Sequence, residues 1–124
     1  MSIREQLSSK EDAYLGTGVD EQRIHDAELE LGLTFAEDYR EYLATVGLAM
    51  CDGHEFTGIG NAERTNVVTV TKQMKARRSD IPSDWYVVEN ENMDGAVMWQ
   101  NERGQIFFNK KYQYGSLREF FEDL

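Results

Sequence analysis

The apolar residues change their spacing along the chain, and this change constrains the fold more than any other feature. Between residues 20 and 46 they recur every three or four positions, as on one face of a helix. From residue 85 to residue 108 they come in short β-branched and aromatic runs separated by turn residues, as in antiparallel strands. Helices and strands grouped in separate parts of a chain predict an α+β domain.

Two helices are predicted in the first half of the chain. The first covers 20–31, because Asp20 is a favourable N-cap and Gly32 suits the left-handed conformation at a helix end. The second extends to Val46. Its start has the form of a capping box, with Thr34 as the N-cap and a glutamate three residues later.

The remaining segments predict strands and two further helices. The strand predictions are 54–57, 66–71, 85–89, 96–100 and 105–108. The run over 66–71 leads directly into 72–78, a good helix former, so strand and helix both remain open for this segment, and the predicted order includes a mid-chain helix. Ser116 begins an amphipathic helix at the end of the chain. The predicted architecture is an antiparallel sheet packed by an N-terminal helix pair, a mid-chain helix and a C-terminal helix, in a single domain over 1–124.

The charge of the chain disfavours some partners. Thirteen Lys and Arg against 23 Asp and Glu give a net charge of −10, which repels nucleic acid and anionic membrane surfaces and favours a basic partner. High solubility alone is the simpler explanation of the same charge. One cysteine excludes an intramolecular disulfide. With no apolar run of signal or membrane-spanning length, we expect a cytoplasmic protein.

Several segments together resemble the SUKH superfamily, which includes the SMI/KNR-type immunity proteins of bacterial polymorphic toxin systems. The resemblance covers about 20–124. It is carried by Leu-Glu-Leu-Gly-Leu at 29–33, Asp-Tyr-Arg-Glu-Tyr-Leu at 38–43, Ile-Pro-Ser-Asp-Trp at 81–85, and the Asp-Gly and Gly-Gln-Ile-Phe turns at 94 and 104. Relatives often have proline before the Asp-Tyr helix, where this chain has Thr34 and Phe35. This departure leaves the branch within the superfamily open.

The resemblance implies a non-enzymatic protein without a cofactor, which binds a cognate toxin domain, very often a nuclease, and blocks it. Some relatives are instead regulatory scaffolds. A nuclease site is basic because it holds phosphates, so acidic residues are the candidate contacts. They occur in two acid-rich segments, 20–41 and 84–94. The predicted partner-binding residues are Glu37, Asp38, Glu41, Asp84, Glu89, Glu91 and Asp94. The alternative is that these are ordinary exposed charges.

Three other groups of residues are weaker candidates for a function. Cys51, His54 and Glu55 form the densest cluster of metal-ligand types, but they lack the paired spacing of metal sites and the marks of an oxyanion hole. A small metal-dependent or cysteine-dependent enzyme is therefore the least favoured function. The basic stretch over 72–78 is interpreted as a solvated helix face. Trp85 and Trp99 are predicted to pack in the core rather than to anchor an interface.

Overall fold

A computed structural model describes residues 1–60, 62–90 and 96–124. These residues form five α-helices, a short 3-10 helix over Glu63–Thr65 and seven strands. In chain order they are α1 (Ile3–Ser8), β1 (Tyr14–Leu15), α2 (Glu21–Leu31), α3 (Glu37–Thr45), β2 (Ala49–Cys51), β3 (His54–Glu55), α4 (Val67–Arg77), β4 (Tyr86–Asn90), β5 (Val97–Gln100), β6 (Ile106–Phe108), β7 (Lys111–Tyr114) and α5 (Leu117–Glu122). Helices packed with antiparallel strands confirm the predicted α+β class.

The strands form two antiparallel sheets. One has the order β1-β2-β3, and the other has the sequential order β4-β5-β6-β7. A bridge between Phe56, directly after β3, and Glu89 of β4 links them. The predicted three-stranded meander is confirmed and gains β7, a four-residue strand over Lys111–Tyr114 whose first three residues are exposed. The predicted turn at Asp94 and Gly95 lies outside the described residues.

The larger sheet is covered on both faces, because successive side chains of a strand point to opposite sides. Tyr86 and Val88 enter the main core, which also contains apolar residues of α1, α2, α3 and α5. Trp85 and Trp99 enter a second cluster with Val70 of α4. Both tryptophans are buried, at 7% and 0% exposure, which confirms them as core residues.

The predicted strand over 66–71 is wrong, because this segment begins helix α4. Asn66 is the N-cap, and its Oδ1 accepts a hydrogen bond from the Val68 amide at 2.9 Å. Val70 and Thr71 are buried on the helix face that covers the larger sheet. A cap and a buried face outweigh the β-propensity of a β-branched run, since propensity is a weak preference that tertiary packing overrides.

The capping box predicted at Thr34 is also wrong. Helix α3 begins later than predicted, with Ala36 as an N-cap whose side chain makes no capping bond. The backbone amides leading into the helix are satisfied from other elements instead. The Phe35 amide donates to Glu28 Oε2 at 2.8 Å, and the Ala36 amide donates to the hydroxyl of Tyr86 at 2.9 Å. These tertiary partners replace the local cap that the sequence suggested.

Candidate functional site

Two adjacent acids begin α3, and the structure gives them different roles. Glu37 is exposed. Asp38 is half-buried, and its Oδ1 and Oδ2 accept hydrogen bonds from Gln100 Nε2 at 3.0 Å and from the Leu117 amide at 2.7 Å. Asp38 therefore joins α3 to β5 and to the start of α5. Both donors are neutral, so neither cancels its negative charge.

Glu41 also connects secondary-structure elements. Its Oε2 accepts a hydrogen bond from the Ile3 amide at 3.0 Å, and its Oε1 pairs with Arg118 Nη2 at 2.6 Å. The carboxylate thus holds α1 and α5 against α3. Because the Arg118 guanidinium compensates its charge, Glu41 contributes less to an acidic surface than Glu37 does.

Of the predicted contacts in 84–94, the structure describes Asp84 and Glu89, whereas Glu91 and Asp94 lie outside the described residues. Glu89 is 3% exposed, and its Oε2 lies 2.8 Å from Nδ1 of His54. This burial argues against Glu89 as a direct contact with a partner. Asp84 is half-buried and lies near the turn between β5 and β6.

That turn brings the acids of both predicted segments together through Glu102. The Glu102 amide lies 3.4 Å from Asp84 Oδ2, and Glu102 Oε1 lies 3.4 Å from the Thr34 amide. Glu37, Asp38 and Glu102 line one groove together. We call Glu37, Asp38, Asp84 and Glu102 the acidic rim.

Glu102 was not among the predicted contacts. It follows β5 in the tight turn before β6 and is exposed. A local signal was present, because a charged residue in a short hairpin turn points to solvent. Its proximity to α3, however, follows from the register of the sheet and from the packing of α3 on it. Two cations line the same groove: Arg103, whose Nη2 donates to Gln105 Oε1 at 3.3 Å, and Arg118, which pairs with Glu41.

An exposed apolar residue lies beside the acidic rim. Leu29 of α2 is 66% exposed, and it lines a shallow groove with Thr34 and Glu102. His25 lines the same groove. An apolar side chain next to charged residues is the arrangement that protein interfaces use, with an apolar centre and a polar rim.

The cluster of Cys51, His54 and Glu55 is already engaged in the fold. Cys51 is 2% exposed, and burial raises the pKa of its thiol, with Asp52 adding a smaller effect. His54 pairs with Glu89, and Glu55 pairs with Arg64. Burial and a raised pKa make a thiol a poor nucleophile.

The basic stretch of α4 is partly engaged as well. Lys72 Nζ lies 3.6 Å from Glu30 Oε2, and Lys75 Nζ donates to the carbonyl oxygen of Ser83 at 2.9 Å. Partial burial lowers the pKa of Lys75. Over the described ranges, no group of three or more His, Cys, Asp or Glu residues has the arrangement of a metal site, and no helix is long and apolar enough to span a membrane.

Fold and surface together define a small α+β domain with helices packed on antiparallel sheets and acids gathered at one end of the larger sheet. The chain belongs to the SUKH_5 family, described as SMI1-KNR4 cell-wall, whose match covers residues 2–124. The resemblance inferred from the sequence is therefore confirmed, and it includes α1, which the sequence patterns had not indicated. No curated protein matches the chain.

Proposed function

We propose that this chain is an immunity-type protein that binds a basic toxin domain, of the nuclease class, and blocks its active surface. The acidic rim is the observation that supports this function most directly. It gathers the carboxylates of Glu37, Asp38, Asp84 and Glu102 at one end of the larger sheet. Membership of the SUKH family, which is associated with binding other proteins, supports it independently.

The proposed mechanism is occlusion without catalysis. The rim carboxylates speed the encounter with lysine and arginine residues that otherwise hold the phosphates of a nucleic acid. Leu29, which projects beside the rim, inserts into an apolar depression of the partner and slows dissociation. This division of roles predicts that charge changes alter the association rate, whereas truncation of Leu29 alters the dissociation rate.

The test measures binding kinetics, at low and at high salt, with the C-terminal domain of whichever toxin-like protein is encoded beside this chain. The rim variant is Glu37→Lys with Glu102→Lys, since both residues are exposed. The control is Glu11→Lys with Glu63→Lys, which makes the same change in net charge at exposed positions outside the rim. We expect the rim variant to associate about tenfold more slowly at low salt, with a smaller salt dependence.

Equal slowing by the rim and control variants would show that only the total charge matters. Unchanged association by the rim variant would remove the rim from the contact surface. A second readout is toxin activity, which one equivalent of the wild-type chain should abolish. If the chain binds the toxin domain but leaves the toxin active, the occlusion mechanism is wrong.

A regulatory scaffold that binds a host protein is the second candidate function. The description of the matched family, which refers to the cell wall, favours this alternative. Co-expression separates the two candidates. An immunity protein restores growth to cells that produce the toxin domain, whereas a scaffold leaves them unprotected.

A further inference from the structure

We propose that the free edge of β7 is a second protein-binding surface, which takes an acidic, extended segment of a partner as an added strand. The start of β7 differs from the acidic rim in both position and charge, whereas Gly115, which follows the strand, lines the same groove as the rim. Strand β7 is the last strand of the larger sheet, and no described strand pairs with its other side. An unpaired edge presents backbone amides and carbonyls that can extend the sheet.

The charge near this edge is opposite to that of the protein as a whole. Lys110 and Lys111 lie at the turn that leads into β7, while the chain carries a net charge of −10. Asp80 pairs with Lys110 at 2.8 Å. The pKa of Asp80 is lowered mainly by its hydrogen bond with Lys110, and the nearby Arg78 contributes a smaller effect. Two cations, Lys110 and Arg78, therefore act on one acid, and Lys111 adds a further positive charge at the start of β7, so this end of the sheet is locally basic.

The two charged surfaces lie at opposite ends of the sheet. Strand β6 runs from the turn that holds Glu102 to the turn that holds Lys110. An acidic segment that is repelled at the rim is therefore attracted at the start of β7. A free strand edge favours a peptide over nucleic acid as the occupant, because only a peptide backbone can extend the ladder of amide and carbonyl hydrogen bonds.

Aromatic side chains supply the apolar part of the surface. Tyr112 is 55% exposed and contacts Phe107, with ring centroids 6.1 Å apart. Phe107 in turn stacks on the buried Trp85 at 4.2 Å. Phe108 is 36% exposed beside Lys111, its cross-strand neighbour. A partner strand whose side chains alternate between acidic and apolar thus finds cationic and aromatic neighbours that are held in place by the core.

The experiment measures the binding of short capped peptides to the full chain through changes in the amide chemical shifts of the protein. The first peptide alternates glutamate with valine, and the second replaces each glutamate with lysine. A third keeps the acidic sequence but carries N-methyl groups on alternate amides, which prevents strand pairing without changing the charge. We expect the acidic peptide to shift the amides of β7, and the other two to bind at least about fivefold more weakly.

A variant of the protein tests the charge requirement. Lys111→Glu should weaken binding of the acidic peptide about fivefold, whereas Lys72→Glu, the same charge change at an exposed position on α4, should not. The proposal is overturned if the N-methylated peptide binds equally well, if the shifts fall outside β7, or if an oligonucleotide binds the edge more tightly than the peptide. Concentration-dependent dimerisation through β7 that excludes the peptide would also overturn it. No toxin is required, so failure here leaves the immunity proposal untouched.

Discussion

Replacing Asp38 by alanine should destabilise the fold, although this residue was first predicted as a contact with a partner. The change removes the acceptor of the Leu117 amide and one of the two acceptors of Gln100 Nε2. The other acceptor of Gln100 Nε2, the Gly104 carbonyl oxygen at 3.0 Å, remains. A hydrogen bond to a charged acceptor contributes about 1.5–3 kcal/mol, and a donor left without a partner adds to the loss. Because Asp38 is half-buried and water can replace part of this interaction, we expect about 2–4 kcal/mol of lost unfolding free energy.

The neighbouring Glu37 provides the matched control. It has the same charge and lies on the same first turn of α3, but it is exposed. Glu37→Ala should change the unfolding free energy by less than about 1 kcal/mol, which is the range of a surface charge near a helix N-terminus. Asp38→Asn keeps one acceptor oxygen and should fall between the two.

Urea unfolding followed by tryptophan fluorescence measures both variants, since Trp85 and Trp99 are buried and become hydrated on unfolding. The midpoint should fall for Asp38→Ala with an unchanged slope, because the same surface is exposed. An Asp38→Ala variant as stable as the wild-type chain would refute the structural role assigned to Asp38. An equal loss in both would show that helix-terminal charge, rather than the cross-links to β5 and α5, accounts for the effect.

Three further predictions concern the interior. Gly58→Ala should lower the free energy of unfolding by about 3 kcal/mol or more, because a Cβ would overlap the carbonyl oxygen of Gly47. A Cβ at Gly60 meets no atom within 4 Å, so the control Gly60→Ala should cost less than about 1 kcal/mol. Similar losses of the two variants in thermal or urea unfolding would contradict this prediction. Cys51 should react with a thiol reagent much more slowly in the native protein than in urea, and equally fast labelling in both would show that the site opens. Burial raises the pKa of Tyr42 well above its usual value, so the unfolded chain loses this proton at a lower pH than the folded chain does. The free energy of unfolding should therefore decline as pH rises above about 10. Tyr42→Phe should make that decline shallower, and an unchanged slope would refute the assignment.

Local signals predicted those parts of the fold whose hydrogen bonds are made within a few residues. Asp20 caps α2 through the Arg23 amide, Gly32 ends that helix at φ 68°, and Ser116 caps α5 through the Glu119 amide. In each case the side chain or backbone conformation acts on its own helix end. The strands β4, β5 and β6 were found for a similar reason, since their apolar runs are bounded by turn residues.

The candidate site was only partly predictable. Glu37 and Asp84 were selected as acids of the right segments, and the structure places both in the acidic rim. The sequence could not separate them from Glu89, which is buried against His54. Nor did it indicate Glu102, because that residue lies 68 positions from Thr34 in the chain and approaches it only through the register of β5 and β6.

What the sequence by itself determined is the class of the fold, its family and the helix ends that carry their own caps. Tertiary structure decided that Val67 to Thr71, after the local Asn66 cap, pack as a helix. It also decided that α3 is supported by Glu28 and Tyr86 rather than by Thr34, and which carboxylates remain on the surface. The physical reason is the range of the interactions. Capping and periodicity act over one or two turns, whereas burial and the pairing of a charge depend on elements that meet only in the folded chain.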